Sequence, residues 1–314
     1  MLQQSGFGIA VTGSGSCTPQ VSLDNNGLSQ IVDTSDEWIG ARTGIRSRRL
    51  ADDRTSLCDL AFSASRKAIE MAEISPTDID LIILATSSPD DLFGTAGKIQ
   101  YQLGATKAVA FDLTAACSGF VFGLVTASQF IRTGVYQNTC ILFGDGAGAV
   151  VLQASEVDRF LGFEIRSDGT QNSSLNLAYK AESKSLIEGV NIGQGGFEPI
   201  AMNGQEIYRF AVKKVPEVIE KAMFRANISA EKIDWLLLHQ ANQRILDAVA
   251  QRLKIPPEKV ISNLANYGNT SAASIPLALD ESVRLGKVKS GDTIAAAGFG
   301  AGLSWGAAIF QWGR

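Results

Sequence analysis

A chain of 314 residues with 45% hydrophobic content can bury one large core or two related halves, which excludes the disordered and fibrous classes. Its 28 Lys plus Arg stand against 32 Asp plus Glu, too even a balance to draw nucleic acid or an anionic membrane through net charge. Four cysteines, at 17, 58, 117 and 140, form no CxxC pair, and the single histidine argues against a metal cluster and excludes any mechanism needing two imidazoles in one chain.

Short apolar runs rich in β-formers alternate with stretches of helical period, the pattern of an α/β fold with buried strands. In chain order the expected elements are a strand over 7–12, a helix over 56–73 started by Thr55-Ser56, a strand over 80–86 and a helix over 95–103. A strand over 107–112 then leads into a helix over 118–133 opened by Ser118 and Gly119, and strands over 140–143 and 148–152 follow. The polar stretch 166–204, rich in Gly, Ser and Asn, reads as a connection that divides the chain into halves at 1–165 and 205–314. The second half reads as helix 205–225, strand 233–238, helix 241–253, strand 259–263, helix 271–285 and strands 293–298 and 305–311. FGDGAGAVVL (143–152) and FGAGLSWGAAIF (299–310) each place a glycine turn between apolar strands, as an internal duplication or two unrelated hairpins would. No basic segment followed by an apolar run opens the chain, and no stretch approaches the roughly 20 apolar residues of a spanning helix, so a soluble cytoplasmic protein is expected.

Three segments carry chemistry. In AFDLTAACSGF an apolar strand runs into Cys117 and then into a helical pattern, so the thiol sits at a helix start, where free amides and the dipole favour thiolate. Cys17, Cys58 and Cys140 fit the ordinary role of a small packed cysteine; Cys117 alone has the turn. In IDWLLLHQANQRI a buried strand ends at His239 and a helix begins at Ala241 or Asn242, which aims the imidazole at the crevice where α/β sheets bind ligands. In YGNTSAASIP, Asn269 and small hydroxyl residues precede a helix; taken alone, Asn269 reads as a turn or cap residue, and only its company suggests more.

These segments, with VDTSDEWIGARTGIRSRRL, FGDGAGAVVL and the final GFGAGLSWG, run in order through nearly the whole chain, which resembles the β-ketoacyl-acyl carrier protein synthase III family of thiolase-fold condensing enzymes. The resemblance implies two pseudo-symmetric halves in a five-layered α/β/α/β/α arrangement. Elongating synthases use Cys-His-His and degradative thiolases Cys-His-Cys, so the trio Cys117, His239 and Asn269 is similar to that of the initiating synthases. The implied reaction condenses acetyl-CoA with malonyl-acyl carrier protein to start fatty acid biosynthesis, with CoA thioester as substrate and no metal or other cofactor. Relatives with the same trio accept longer, aromatic or quinolone-type primers.

The resemblance also implies roles for further residues. The amides of Cys117 and Ala301 would form the oxyanion site; Ala301 stands where a glycine is expected, which suits an amide donor only at negative φ. Trp38 and Arg42 would contact CoA, Asn242 and Arg244 the pantetheine, and Phe93 would close the acyl pocket of a neighbouring subunit in a homodimer. Arg209, Lys213, Lys214, Arg244, Arg252 and Lys254 would offer a basic face to the acidic carrier protein. After Asn138 the family carries roughly 20 more residues, about one strand and one long loop. Here FIRTGVYQN runs straight into TCILF. Either the segment is left out of the sequence as it stands, or the chain truly lacks it. In the second case TCILF has to fill the missing strand, and the alternative reading is an impaired homologue that keeps carrier-protein or partner binding.

Overall fold

In the computed structural model, which describes residues 7–143 and 146–313, the buried apolar runs form two five-stranded sheets. Gly144 and Asp145, the centre of the first expected glycine turn, lie outside those residues. The first sheet comprises β1 (Gly8–Cys17), β2 (Leu81–Ala85), β3 (Val109–Leu113), β4 (Asn138–Phe143) and β5 (Ala147–Ser155), in the order β1-β5-β4-β2-β3. The second comprises β6 (Phe160–Ser167), β7 (Trp235–Leu238), β8 (Val260–Ile261), β9 (Thr293–Gly300) and β10 (Ser304–Gln311), in the order β8-β7-β9-β10-β6. From one edge each sheet has three parallel neighbours, β3-β2-β4 and β8-β7-β9, followed by two antiparallel pairings. The same order and directions in both sheets favour duplication over two unrelated hairpins.

β4 settles where TCILF goes. It lies between β2, which it pairs in parallel, and β5, which it pairs antiparallel, so it occupies the central strand that the shortened sequence would otherwise leave empty. β6 begins at Phe160 and joins the second sheet, ahead of the division expected at 165/166. The stretch expected as a plain connection also folds locally: Tyr179–Ile187 and Val190–Phe197 form an antiparallel hairpin exposed along both strands.

Helices complete the layers: α1 (Asp36–Thr43), α2 (Leu57–Met71), α3 (Ala96–Leu103), α4 (Gly119–Arg132), α5 (Gly204–Ala226), α6 (Gln243–Leu253) and α7 (Ser274–Arg284). Ser56 and Asp59 close a capping box that starts α2, whose Leu57, Leu60, Ala61, Ala64 and Ala68 recur at helical spacing and face the first sheet. Glycines 13 and 15 on β1 permit that approach, because a Cβ at either would run into the carbonyls of Ala68 and Ala64. α2 and α3 cover the outer face of the first sheet, α4 and α7 lie between the sheets, and α5 and α6 cover the outer face of the second. This is the five-layered α/β/α/β/α arrangement. The central layer holds fully buried Phe120, Leu124 and Phe310, each stabilising by roughly 1.5–3 kcal/mol on burial. Among the described residues no helix is long and apolar enough to cross a membrane.

Candidate active site

The two central helices begin at equivalent places, each after a short 3-10 turn that follows the edge-strand region of its own sheet. The first turn, Ala116–Ser118, carries Cys117 into α4; the second, Ser271–Ala273, leads into α7. Both turns hold a non-glycine residue at positive φ, Ala116 at 44° and Ser271 at 52°. Such backbone is costly for an L-residue and persists only where the surroundings over-determine it, as they do at functional sites. The two turns meet: Cys117 Sγ lies 3.2 Å from Ser271 Oγ.

His239 arrives from the end of β7. Its amide donates to Ala297 O of β9 at 2.8 Å, its ring meets Phe299 edge-on with centroids 5.4 Å apart, and Nδ1 lies 2.8 Å from Ser274 Oγ. The helix beyond begins at Gln243, with Asn242 as its N-cap, rather than at Ala241 or Asn242 themselves. Asn269 accepts from Ser271 N at 2.9 Å through Oδ1, which fixes the side-chain amide and leaves Nδ2 as a donor. The strand end of β9 presses on Cys117 from the other side. A Cβ on Gly300 would sit 2.6 Å from Cys117 N, so glycine is required there. Ala301 does not take positive φ, which removes the conflict expected for an alanine in that turn. Ser118 Oγ and Ser304 Oγ, 2.6 Å apart and buried, clamp the Cys117 turn to the Ala301 turn, and Ser304 also reaches Ala301 O at 3.1 Å. Ser118 opens α4 as expected, but its hydroxyl makes these contacts instead of capping the helix.

Burial is uneven across the site: His239 is buried, Cys117 is intermediate, and Asn269 and Ser271 are exposed. Burial pushes the Cys117 thiol above its ordinary value, while the Ser271 hydroxyl and the residue's own amide pull it back. Burial also lowers His239 to about 4, which keeps the imidazole neutral at working pH. That shift has a consequence for stability. The unfolded chain takes up a proton near 6.5 and the native site only near 4, so the contribution is complete above 6.5 and is lost as pH falls through that window. The displacement corresponds to about 3 kcal/mol. Urea unfolding of the parent and of His239→Gln at several pH values between 7 and 4 should show the parent losing about 3 kcal/mol more than the variant; parallel curves would contradict a buried neutral imidazole.

Residues expected at the substrate entrance do gather. Arg42, Arg209, Asn242 and Arg244 line one open groove of about 900 Å³ together with Tyr208. The Arg42 guanidinium stacks 4.9 Å from the Trp38 ring centre, and Arg244 stacks 5.2 Å from that of Tyr208. Asn242 ties the groove's walls, accepting from Arg244 N and donating through Nδ2 to Arg42 O, both at 2.9 Å. Phe93 stands apart, fully exposed on the loop after β2. The expected basic face is interrupted. Glu217 takes Lys214 at 3.0 Å and Arg252 at 3.8 Å, and Lys214 lines a different groove with Arg166 and Lys221. Among the described residues no group of three or more His, Cys, Asp or Glu is placed to hold a metal ion. Ser271, Ser274 and Ser304 were not individually readable from sequence, since small hydroxyl residues in glycine turns carry no signal of which one faces inward.

Comparison with known proteins agrees with this architecture. Residues 223–312 match the family described as 3-oxoacyl-[acyl-carrier-protein] synthase III C terminal, and residues 111–139 and 136–169 match 3-oxoacyl-[acyl-carrier-protein] synthase III. The second match breaks into two pieces at the place where the family's additional strand and loop are missing. The β-ketoacyl-[acyl-carrier-protein] synthase III of Trichormus variabilis is 67% identical over 327 residues, covering 98% of this chain and 99% of the relative. That of Acaryochloris marina is 63% identical and covers 100% of both. Among solved structures, the 3-oxoacyl-[acyl-carrier-protein] synthase III of Aquifex aeolicus superposes with a TM-score of 0.88 at 38% identity, covering 97% of this chain and 100% of the other. The priming β-ketosynthase of the R1128 polyketide pathway gives 0.89 at 32%, covering 98% and 97%. The chain therefore belongs to the 3-oxoacyl-[acyl-carrier-protein] synthase III family.

Proposed function

We propose that this chain condenses acetyl-CoA with malonyl-acyl carrier protein, releasing CoA and carbon dioxide and leaving acetoacetyl-acyl carrier protein, the first step of fatty acid biosynthesis. The observation that carries the reading is the meeting of the Cys117 and Ser271 turns beside buried His239 and the fixed amide of Asn269. In the first half-reaction Cys117 Sγ bonds to the acetyl carbon, the carbon–sulfur bond to CoA breaks, and the thiol proton leaves with the CoA sulfur. The transient oxyanion would be met by the amides of Cys117 and Ala301, held together by the close approach at Gly300 and the Ser118–Ser304 clamp.

In the second half-reaction the malonyl group loses carbon dioxide, His239 and Asn269 donate to the enolate oxygen, and the carbanion attacks the acyl-Cys117 carbonyl, freeing the thiolate to be reprotonated. A neutral His239 donates through Nε2 only if Nδ1 accepts. The Ser274 hydroxyl, 2.8 Å from Nδ1 and 2.7 Å from Ser271 O, has one proton for these two acceptors and can turn it to the ring. No metal or redox cofactor takes part in these steps.

The arginine-lined groove suits the phosphates of CoA and the pantetheine arm, with Trp38 and Arg42 at its rim and Asn242 and Arg244 within it. The carrier protein would dock on the part of the basic face nearest that groove, Arg209, Lys213 and Arg244, with Lys214, Arg252 and Lys254 peripheral because Glu217 neutralises the first two. A homodimer in which exposed Phe93 enters the neighbouring subunit's pocket, and a cytoplasmic location, complete the proposal. The test is direct: purified protein with acetyl-CoA and malonyl-acyl carrier protein should release carbon dioxide and form acetoacetyl-acyl carrier protein. A folded protein that forms no product with acetyl-CoA or with longer and aromatic acyl-CoAs would refute it.

A further inference from the structure

Cys117 needs a partner as charge builds on its sulfur, and its surroundings offer little. The elements packed against its turn are α4, β9, β10 and the Ser271 turn. β9 and β10 carry no charged residue, the one charge on α4 is Arg132 at its far end, and His239, from the end of β7, is neutral. Among the described residues the only side chain recorded in hydrogen-bond contact with Sγ is Ser271. That hydroxyl is held there by unusual means. Ser271 keeps positive φ despite its Cβ, its amide is anchored to Asn269 Oδ1 at 2.9 Å, and its carbonyl accepts from Ser274 Oγ at 2.7 Å. Backbone strain of this kind costs of order 1–3 kcal/mol and is retained where a side chain must be aimed.

We infer that Ser271 is a further catalytic residue, whose hydroxyl donates to Cys117 Sγ and stabilises the developing thiolate during acyl transfer. A thiol is a weak donor and a thiolate a strong acceptor, so the 3.2 Å contact gains strength as the sulfur becomes charged. The serine keeps its proton throughout; the thiol proton leaves with the CoA sulfur. Through its amide and carbonyl the same residue also orients Asn269 and touches the group that faces His239, so one strained position serves all three members of the site.

The inference rests on Cys117 as acyl acceptor, and the experiment separates the two. In the full-length parent, Ser271→Ala and Ser271→Gly, the pH dependence of Cys117 alkylation by iodoacetamide and the single-turnover acetylation by acetyl-CoA are followed by intact mass. Glycine relieves the positive φ, so that variant keeps the test alive should alanine impair folding. Both variants should alkylate with a midpoint raised by about one pH unit and acetylate roughly tenfold more slowly at pH 7, with the deficit closing at high pH where the thiolate forms unaided. Parent-like midpoints in the folded variants would make Ser271 a packing residue and overturn the inference. Failure of the parent to acetylate would instead count against Cys117 as acceptor, with the alkylation midpoints still deciding the role of Ser271.

Discussion

Replacing Cys117 by alanine should abolish acetyl transfer and reduce condensation by on the order of 10⁴-fold or more, because the covalent route disappears with the sulfur. Intact mass after incubation with acetyl-CoA should show one acetyl adduct on the parent and none on Cys117→Ala. The fold should tolerate the change. Cys117 is only half-buried, and alanine already occupies the preceding position at positive φ, so the turn loses one polar contact to Ser271 and little packing. The two buried thiols are poor substitutes. Burial raises the Cys140 thiol to about 12, and burial together with Asp90 raises that of Cys58. Decarboxylation of malonyl thioester should survive in Cys117→Ala, since His239 and Asn269 remain. An adduct persisting on Cys117→Ala would move the nucleophile elsewhere, and a folded parent with no adduct would remove the acyl-enzyme altogether.

What the sequence made legible followed from period and punctuation. Nine of the ten core strands were readable, each a short apolar run bounded by turns, and the central helices were readable where apolar positions recurred every three or four residues. β6 was missed for a physical reason: FLGFEIRS carries Glu164, which looks like a surface residue but is buried under Arg166 and Arg225, so the strand hides a charge that alternation cannot classify. The hairpin at 179–197 was missed because both of its faces are exposed, which leaves no period-two signal. Cys117 and His239 could be singled out as candidates because each lies at a strand-to-helix junction, whereas Asn269 alone reads as a turn or cap residue and only its company singles it out. Ser271 and Ser274 could not be, since their roles depend on a positive φ and a shared hydroxyl proton, neither of which is written in residue type. The replacement of a core strand by TCILF shows the same limit from the other side: the apolar run was plain, while its partners in the sheet became evident only from pairing.

His239→Ala and Asn269→Ala should each lower malonyl decarboxylation about 10²–10³-fold while leaving acetylation of Cys117 within a few-fold of the parent. The separation follows from position. In the proposed reaction both side chains supply donors to the enolate oxygen, whereas acetyl transfer draws on Sγ, the Ser271 hydroxyl and the amides near Gly300. Their magnitudes should be similar despite different exposure, because Asn269 is anchored through Oδ1 and His239 through Nδ1, so each presents a preorganised dipole that costs little to reorient. Combining the two substitutions should give less than the product of the single effects, as the donors share one oxygen. Because burial holds His239 at about 4, the parent's decarboxylation rate should show no histidine-linked change between pH 6 and 8. A profile that rises or falls with an apparent pKa near 6.5, and loses that feature in His239→Gln, would mean that the imidazole titrates during turnover and acts by proton transfer; a flat profile with a loss of about 10²–10³-fold in both single variants leaves neutral hydrogen-bond donation as the mechanism.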